Sequence, residues 1–474
     1  MTLWLLLAKE GDGRPVIETP LLAELPQGTP IPPSLPKPTH LYHAAAEADS
    51  LREQRWALVV SDDARGRRLE SLLAPLCMRR SEEQGRRVAV HRAPPGLDME
   101  GARRFVEEEV HPETRSRREH ARYLLLAGGL ESLSLELQEV LTGDGTSIVG
   151  RLAFECEEDY AAYAAKVVAR ERSAVRARKA RAVFLSVQDE SPQVRGGQEF
   201  IVRPAVQRFR AARRKGDIPA SDIVSEMLPE GDVGRLLELA GEQEPSLLFS
   251  LSHGIGGSDK GWESAAAQRR SQGNMGLGAG IELTAEDARR RTFLPGGVWF
   301  YFACFGAGTP AMSVYQPWME RLVQARRMGA KELAGVHRSR PVDGAPFMAA
   351  LPQAALANPE GPLAVIAHLD MAWVYAFHNA RTGQSYTHRL EGTLESLMEG
   401  YRAGLALHSL TQAAWQVDGA LRSQYVADDE ARRAGREPST HPAERAHLWM
   451  ERHDVTSYVL LGDPAVRLVD RPSR

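Results

Sequence analysis

Two short stretches of the 474-residue chain combine a reactive side chain with a turn that would expose it. Residues 246–251 (SLLFSL) run into Ser252-His253-Gly254-Ile255-Gly256-Gly257, and residues 298–303 (VWFYFA) run into Cys304-Phe305-Gly306-Ala307-Gly308. A free thiol titrates near about 8.5 and is mostly protonated at neutral pH; an imidazole beside it can take the proton or stabilise the thiolate. Such a pair suits nucleophilic attack on a carbonyl. The glycines let a substrate backbone approach closely. The backbone N–H groups of Gly254 and Cys304 would together hold the developing oxyanion. A free cysteine is most often inert packing. What sets Cys304 apart is its position directly after an apolar strand and beside glycine; Cys77 and Cys156 have no such setting.

The elements that would position these residues follow from the hydropathy pattern. Short apolar runs at 56–60 (WALVV), 87–91 (RVAVH) and 123–127 (YLLLA) alternate with amphipathic stretches at 64–76 and 99–110. A long Ala- and Arg-rich helical pattern covers 157–181, acidic at its start and basic at its end, as the helix dipole favours. The alternation then restarts with runs at 182–187, 246–251, 298–303, 363–367 and 458–461, and helical patterns at 202–214, 233–240, 315–328 and 394–407. This predicts an α/β fold of two doubly wound αβα units, in which active sites lie beyond the carboxyl ends of the strands. The expected division is an N-terminal strand and proline-rich arm at 1–38, a first α/β unit at 39–156, a helical connector at 157–181 and a second, larger unit at 182–474. The glycine- and arginine-rich residues 264–291 read as a mobile loop at the cleft.

Composition narrows the function. With 59 Lys+Arg against 62 Asp+Glu, the net charge is −3, which gives no general pull towards nucleic acid or anionic lipid. No run approaches the ~20 apolar residues of a membrane span. Three cysteines without a C-x-x-C pair suit a reducing compartment, so the expected location is cytoplasmic. No cofactor or metal is assigned. His368 and Asp370 lack metal-site spacing, and Asp259, Glu263, Glu282 and Asp287 offer no EF-hand spacing for Ca²⁺. Gly273, Gly276, Gly278 and Gly280 do not match a phosphate-binding fingerprint.

His253-Gly254 after one strand, Ala303-Cys304 after the next, and a late Gly462-Asp463-Pro464 occur in the order of the caspase-like cysteine peptidases, and the chain resembles their gingipain and CHAT branches. The resemblance extends to residues 123–128 and to Glu157-Glu158-Asp159-Tyr160, and so covers most of the chain. It implies a first caspase-like subdomain without the catalytic pair and a second that carries it. It implies an endopeptidase with Cys304 as nucleophile and His253 as acid and base, acting on protein substrates; an activating protease is one candidate partner, and processing, a ligand or constitutive activity stay open as the mode of activation. Some CHAT-type peptidases act in bacterial defence, including CRISPR-linked cascades. Such an enzyme would show Cys304 as its one fast-alkylating thiol. The alternative is an inactive caspase-like scaffold that recruits partners. In this family the specificity pocket is lined just past the central strand tips, here Asp189 and Glu190, Leu251 and Phe302, and Asp370 and Trp373. Trp373 matches a tryptophan that walls the gingipain pocket. An acidic group there would select a basic side chain, Arg above Lys, because guanidinium pairs with a carboxylate through two parallel bonds.

Overall fold

Runs of Val, Leu and aromatic residues need both faces covered, and the chain covers them by pairing its strands into one sheet between two layers of helices. The computed structural model describes residues 2–22, 47–112, 119–143, 145, 147–173, 177–379, 383–438 and 440–471. The ten strands of the sheet are β1 (Trp56–Ser61), β2 (Ala89–Ala93), β3 (Tyr123–Ala127), β4 (Ile148–Leu152), β5 (Ala180–Val187), β6 (Ala220–Leu228), β7 (Ser246–Leu251), β8 (Val298–Phe302), β9 (Ala364–His368) and β10 (Tyr458–Gly462). Their order is β2-β1-β3-β4-β10-β9-β8-β7-β5-β6. Neighbours are parallel except β9 and β10, so β5 to β9 run opposite to β1 to β4 and β10. The carboxyl ends of β5, β7, β8 and β9 therefore share one edge of the sheet, away from those of β1 to β4.

The expected α/β fold is the observed one. Both α/β units feed a single continuous sheet, joined where β10 of the second half pairs with β4 of the first through Leu461 and Arg151. Arg151 is completely buried, and its guanidinium donates to Gln138 and to the carbonyls of Gly128, Leu133 and Ser134. The late Gly-Asp-Pro has a mechanical role at the same joint. Asp463 accepts from Arg80 (2.8 Å) and from the Trp56 indole (2.9 Å), both in the first half, while its own N–H donates to the Tyr163 hydroxyl (2.7 Å).

Several elements differ from the sequence expectation. The connector helix is Glu157–Arg172, ending well short of residue 181. Residues 394–407 are not one helix: His388–Met398 stops before Gly400, whose φ of +79° no helix interior accepts, and Ala403–Ala406 starts anew. Residues 264–291 are not a bare loop. They form helices Ala265–Ser271 and Ala285–Arg290 and short strands Met275–Gly276 and Glu282–Leu283. Two further helices, His408–Arg433 and Pro442–Thr456, pack on one another beside β10. Of the proline-rich arm, residues 23–38 lie outside the described part. No helix among the described residues is long and apolar enough to cross a membrane.

Candidate active site

Register brings the candidate residues together. In the parallel ladder Leu251 pairs with both Ser186 and Phe302. His253 and Cys304 each lie two residues beyond a paired position, past the ends of adjacent strands. The fit is tight: a Cβ on Gly254 would sit 1.8 Å from the Cys304 carbonyl oxygen, so only glycine is accommodated there. Phe305, directly after Cys304, has φ of +55°, a left-handed conformation that costs a non-glycine residue about 1 kcal/mol or more. That turn is held by Phe305 N–H to Asp370 O (2.9 Å) and Ala307 N–H to His368 O (2.9 Å).

His253 is oriented from one side. Its Nε2 lies 3.2 Å from Asp189 Oδ2 and 3.0 Å from Ser191 Oγ, while Nδ1 is buried with no hydrogen-bond partner. A carboxylate only accepts, so Nε2 carries a proton. Asp189 stands just past β5, where Ser191 caps helix Pro192–Gly197 and donates its N–H to Asp189 Oδ1 (2.6 Å). Burial pushes the Asp189 carboxyl up, but the hydrogen bond and charge of His253 and the bonds from Ser191 outweigh it and hold the group below its usual value.

Cys304 is completely buried. Its Sγ accepts from Ala372 N–H at 3.2 Å. Burial drives the thiol well above its usual value; the Ala372 N–H opposes this, and Asp370 and Asp454 add to it. The expected fast alkylation of Cys304 therefore does not fit this conformation, in which reagent cannot reach the sulfur. Its backbone N–H and that of Gly254 point at one atom, the carbonyl oxygen of Leu6, at 3.4 and 3.0 Å.

The remaining pocket candidates separate. Glu190 is exposed. Leu251 packs against Gly197, and Phe302 lies among Phe249, Phe377 and Tyr458, so both belong to the apolar core. Asp370 is buried; its oxygens accept from Met371 N–H (2.7 Å) and Ser313 Oγ (2.9 Å), and His453 Nε2 is 3.5 Å away. Trp373 is buried in a ring cluster with Tyr315, Trp318 and Tyr375. Beneath them His368 is paired with Asp454 at 3.2 Å, and Asp454 also accepts from Trp373 N–H (3.1 Å), which fixes the segment 370–373 against the thiol. Sequence reasoning did not find Ser191, Ala372 or Asp454 in this site, nor the contact of Asp189 with His253. An Asp and a Ser past a strand tip, beside one bearing the histidine, were the available signal.

No protein-family model matches the chain, and no curated protein matches it. Among solved structures it is similar to one described as a protease, with a TM-score of 0.51 at 12% identity over 87% of this chain and 78% of that one. The chain shares that structure's fold. Gingipain R, described as an Arg-specific cysteine proteinase, also matches, with a TM-score of 0.46 at 11% identity over 88% of this chain and 78% of that one. The separase of a Saccharomyces cerevisiae separase–securin complex matches with a TM-score of 0.34 at 11% identity, over 77% of this chain and 17% of its own. The first of these is a likeness of fold alone.

Proposed function

We propose that the protein is a cysteine endopeptidase working through Cys304 and His253. The observation that carries this is the convergence of the Gly254 and Cys304 N–H groups on one carbonyl oxygen beside the thiol. That is the arrangement an acyl-transfer oxyanion requires. In the proposed reaction His253 Nδ1 takes the thiol proton, Sγ attacks the scissile carbonyl, and the charge that develops on its oxygen is held by the two N–H groups. His253 then returns the proton to the leaving amine, leaving an acyl-enzyme that water hydrolyses. Asp189 and Ser191 hold the imidazole in the required tautomer through Nε2.

The finer reading is cleavage after Arg, with Lys second. With Asp189 turned to His253 and Glu190 exposed, Asp370 is the acidic candidate for selecting the basic side chain. Substrates would be proteins, and an upstream protease is the candidate activator. The three cysteines are free thiols, which suits a reducing cytoplasm; a role in a bacterial defence cascade is what the family resemblance implies. A fluorogenic peptide panel on wild type and Cys304→Ala tests the activity; cleavage surviving in the variant would refute it, and preference for Asp over Arg would refute the specificity. The second reading, an inactive scaffold, is favoured by the burial of Cys304 and its raised pKa. It predicts no cleavage from any peptide under any treatment that opens the site.

A further inference from the structure

The carbonyl held by Gly254 and Cys304 belongs to the chain's own N-terminal segment, and its other contacts continue the pattern of a bound peptide. The Leu6 N–H donates to Ala372 O at 3.3 Å, and Leu5 forms an antiparallel bridge with Trp373. On the far side of the thiol, Leu7–Lys9 pairs in parallel with His253–Gly256, Leu7 opposite Gly254, and Glu10 N–H closes the ladder on Gly256 O (3.1 Å). An extended peptide added to exposed backbone edges is the general way a cleft reads a chain, with main-chain bonds for affinity and alternate side chains for pockets. Leu5, Leu6 and Leu7 are all buried.

We infer that residues 3–9 are a built-in occupant of the peptide-binding cleft, with Leu6 in the acyl position, and that they keep the enzyme latent. The inference rests on the peptidase reading. It assigns substrate-binding parts that sequence did not: the Ala372 carbonyl and the Trp373 backbone as the edge that receives residues on the amino side of the cleaved bond, and Gly254–Gly256 as the edge for those beyond it. It accounts for the buried thiol as well, since the segment covers Cys304 and excludes the water that would stabilise a thiolate. A leucine in the acyl position also leaves the strap uncut by an enzyme that selects Arg.

Release has an accessible handle. Lys9 turns back through Gly11-Asp12-Gly13, an exposed to half-exposed bend closed by Lys9 N–H to Arg14 O (2.8 Å). A recognition sequence for a site-specific protease inserted between Gly11 and Asp12 lets the strap be severed in the folded full-length protein. Leu6→Asp is the second variant, since a carboxylate at a buried position favours the released state. The readouts are the iodoacetamide rate at Cys304, followed by peptide mapping, and cleavage of an Arg fluorogenic peptide, with melting temperature as the check on folding.

The expected result is at least a tenfold faster Cys304 alkylation after severing or in Leu6→Asp, with peptidase activity rising in parallel and an unsevered wild type that keeps its N-terminus. Unchanged alkylation in both folded variants overturns the inference, and so does loss of residues 1–6 from wild type but not from Cys304→Ala, which would make the strap a substrate. Faster alkylation with no peptide cleaved contradicts the peptidase reading while the cleft assignment stands. Full peptidase activity in unsevered wild type contradicts latency while the peptidase reading stands.

Discussion

Replacing Asp189 by Asn separates two roles that the sequence does not distinguish, positioning His253 and selecting a basic substrate. Asp189 Oδ1 accepts the Ser191 N–H at 2.6 Å, and Oδ2 lies 3.2 Å from His253 Nε2. In Asp189→Asn the single amide oxygen serves the Ser191 N–H, which leaves the NH₂ group facing the imidazole. A donor there cannot accept from Nε2 and favours the tautomer protonated on Nδ1, the nitrogen the proposed reaction needs free. The interaction lost is a hydrogen bond to a charged group, about 1.5–3 kcal/mol. At about 1.4 kcal/mol per decade that is roughly 10- to 100-fold in kcat/KM, before any cost of the wrong tautomer. The assay is kcat/KM on strap-released protein with matched Arg and Lys peptides. A positioning role lowers both equally and leaves their ratio unchanged. A loss under about threefold would refute the reasoning, and a loss confined to the Arg peptide would move Asp189 into the specificity pocket.

Four other outcomes follow from the same contacts. Because the Asp189 carboxyl titrates below its usual value, its contribution to folding is present above about pH 4, the unfolded value, and is lost as pH falls through the lowered one. The stability gap between wild type and Asp189→Asn in urea titrations should therefore close in acid. Asp463→Ala should destabilise by about 3 kcal/mol, the low end for breaking a buried pair, since Glu171 and Glu83 still pair with Arg80; a urea titration that finds under about 1 kcal/mol, far below that range, contradicts its role at the joint. Lys166→Met removes an ammonium that donates to the carbonyls of Leu356, Asn358 and Pro362, and at about 1–3 kcal/mol per orphaned acceptor should lower the melting temperature clearly. Cys77→Ser and Cys156→Ser should keep full activity, as neither thiol lies at the strand tips.

The strand tips were legible because parallel core strands are continuous apolar runs, and the runs before His253 and Cys304 match β7 and β8 closely. β6 escaped because it is an edge strand whose Ala220–Leu228 mixes buried, half-buried and exposed residues and so makes no continuous apolar run. β4 escaped because Gly150-Arg151 interrupts its apolar pattern; the arginine is tolerated only through the four acceptors folded around it. The two units were read correctly as α/β, but their fusion into one sheet depends on β10 returning from the far end of the chain, a pairing no local pattern encodes. The contacts of the site were hidden for the same reason. Asp189 reaches His253 through the β5–β7 register, and Leu6 reaches Cys304 from the opposite end of the sequence. Residues 3–8 read as a first strand, which is what they are in part; where that strand docks is a tertiary fact.

The central claim is that Cys304, activated by His253, attacks the carbonyl of a bound peptide. It is tested most directly by an Arg-terminated peptidyl ketone with a leaving group on the methylene, added to strap-released protein and followed by intact mass and peptide mapping. The account predicts one stoichiometric adduct, on Cys304, formed at least tenfold more slowly in His253→Ala. No adduct on Cys304, or an equal rate in His253→Ala, would contradict it.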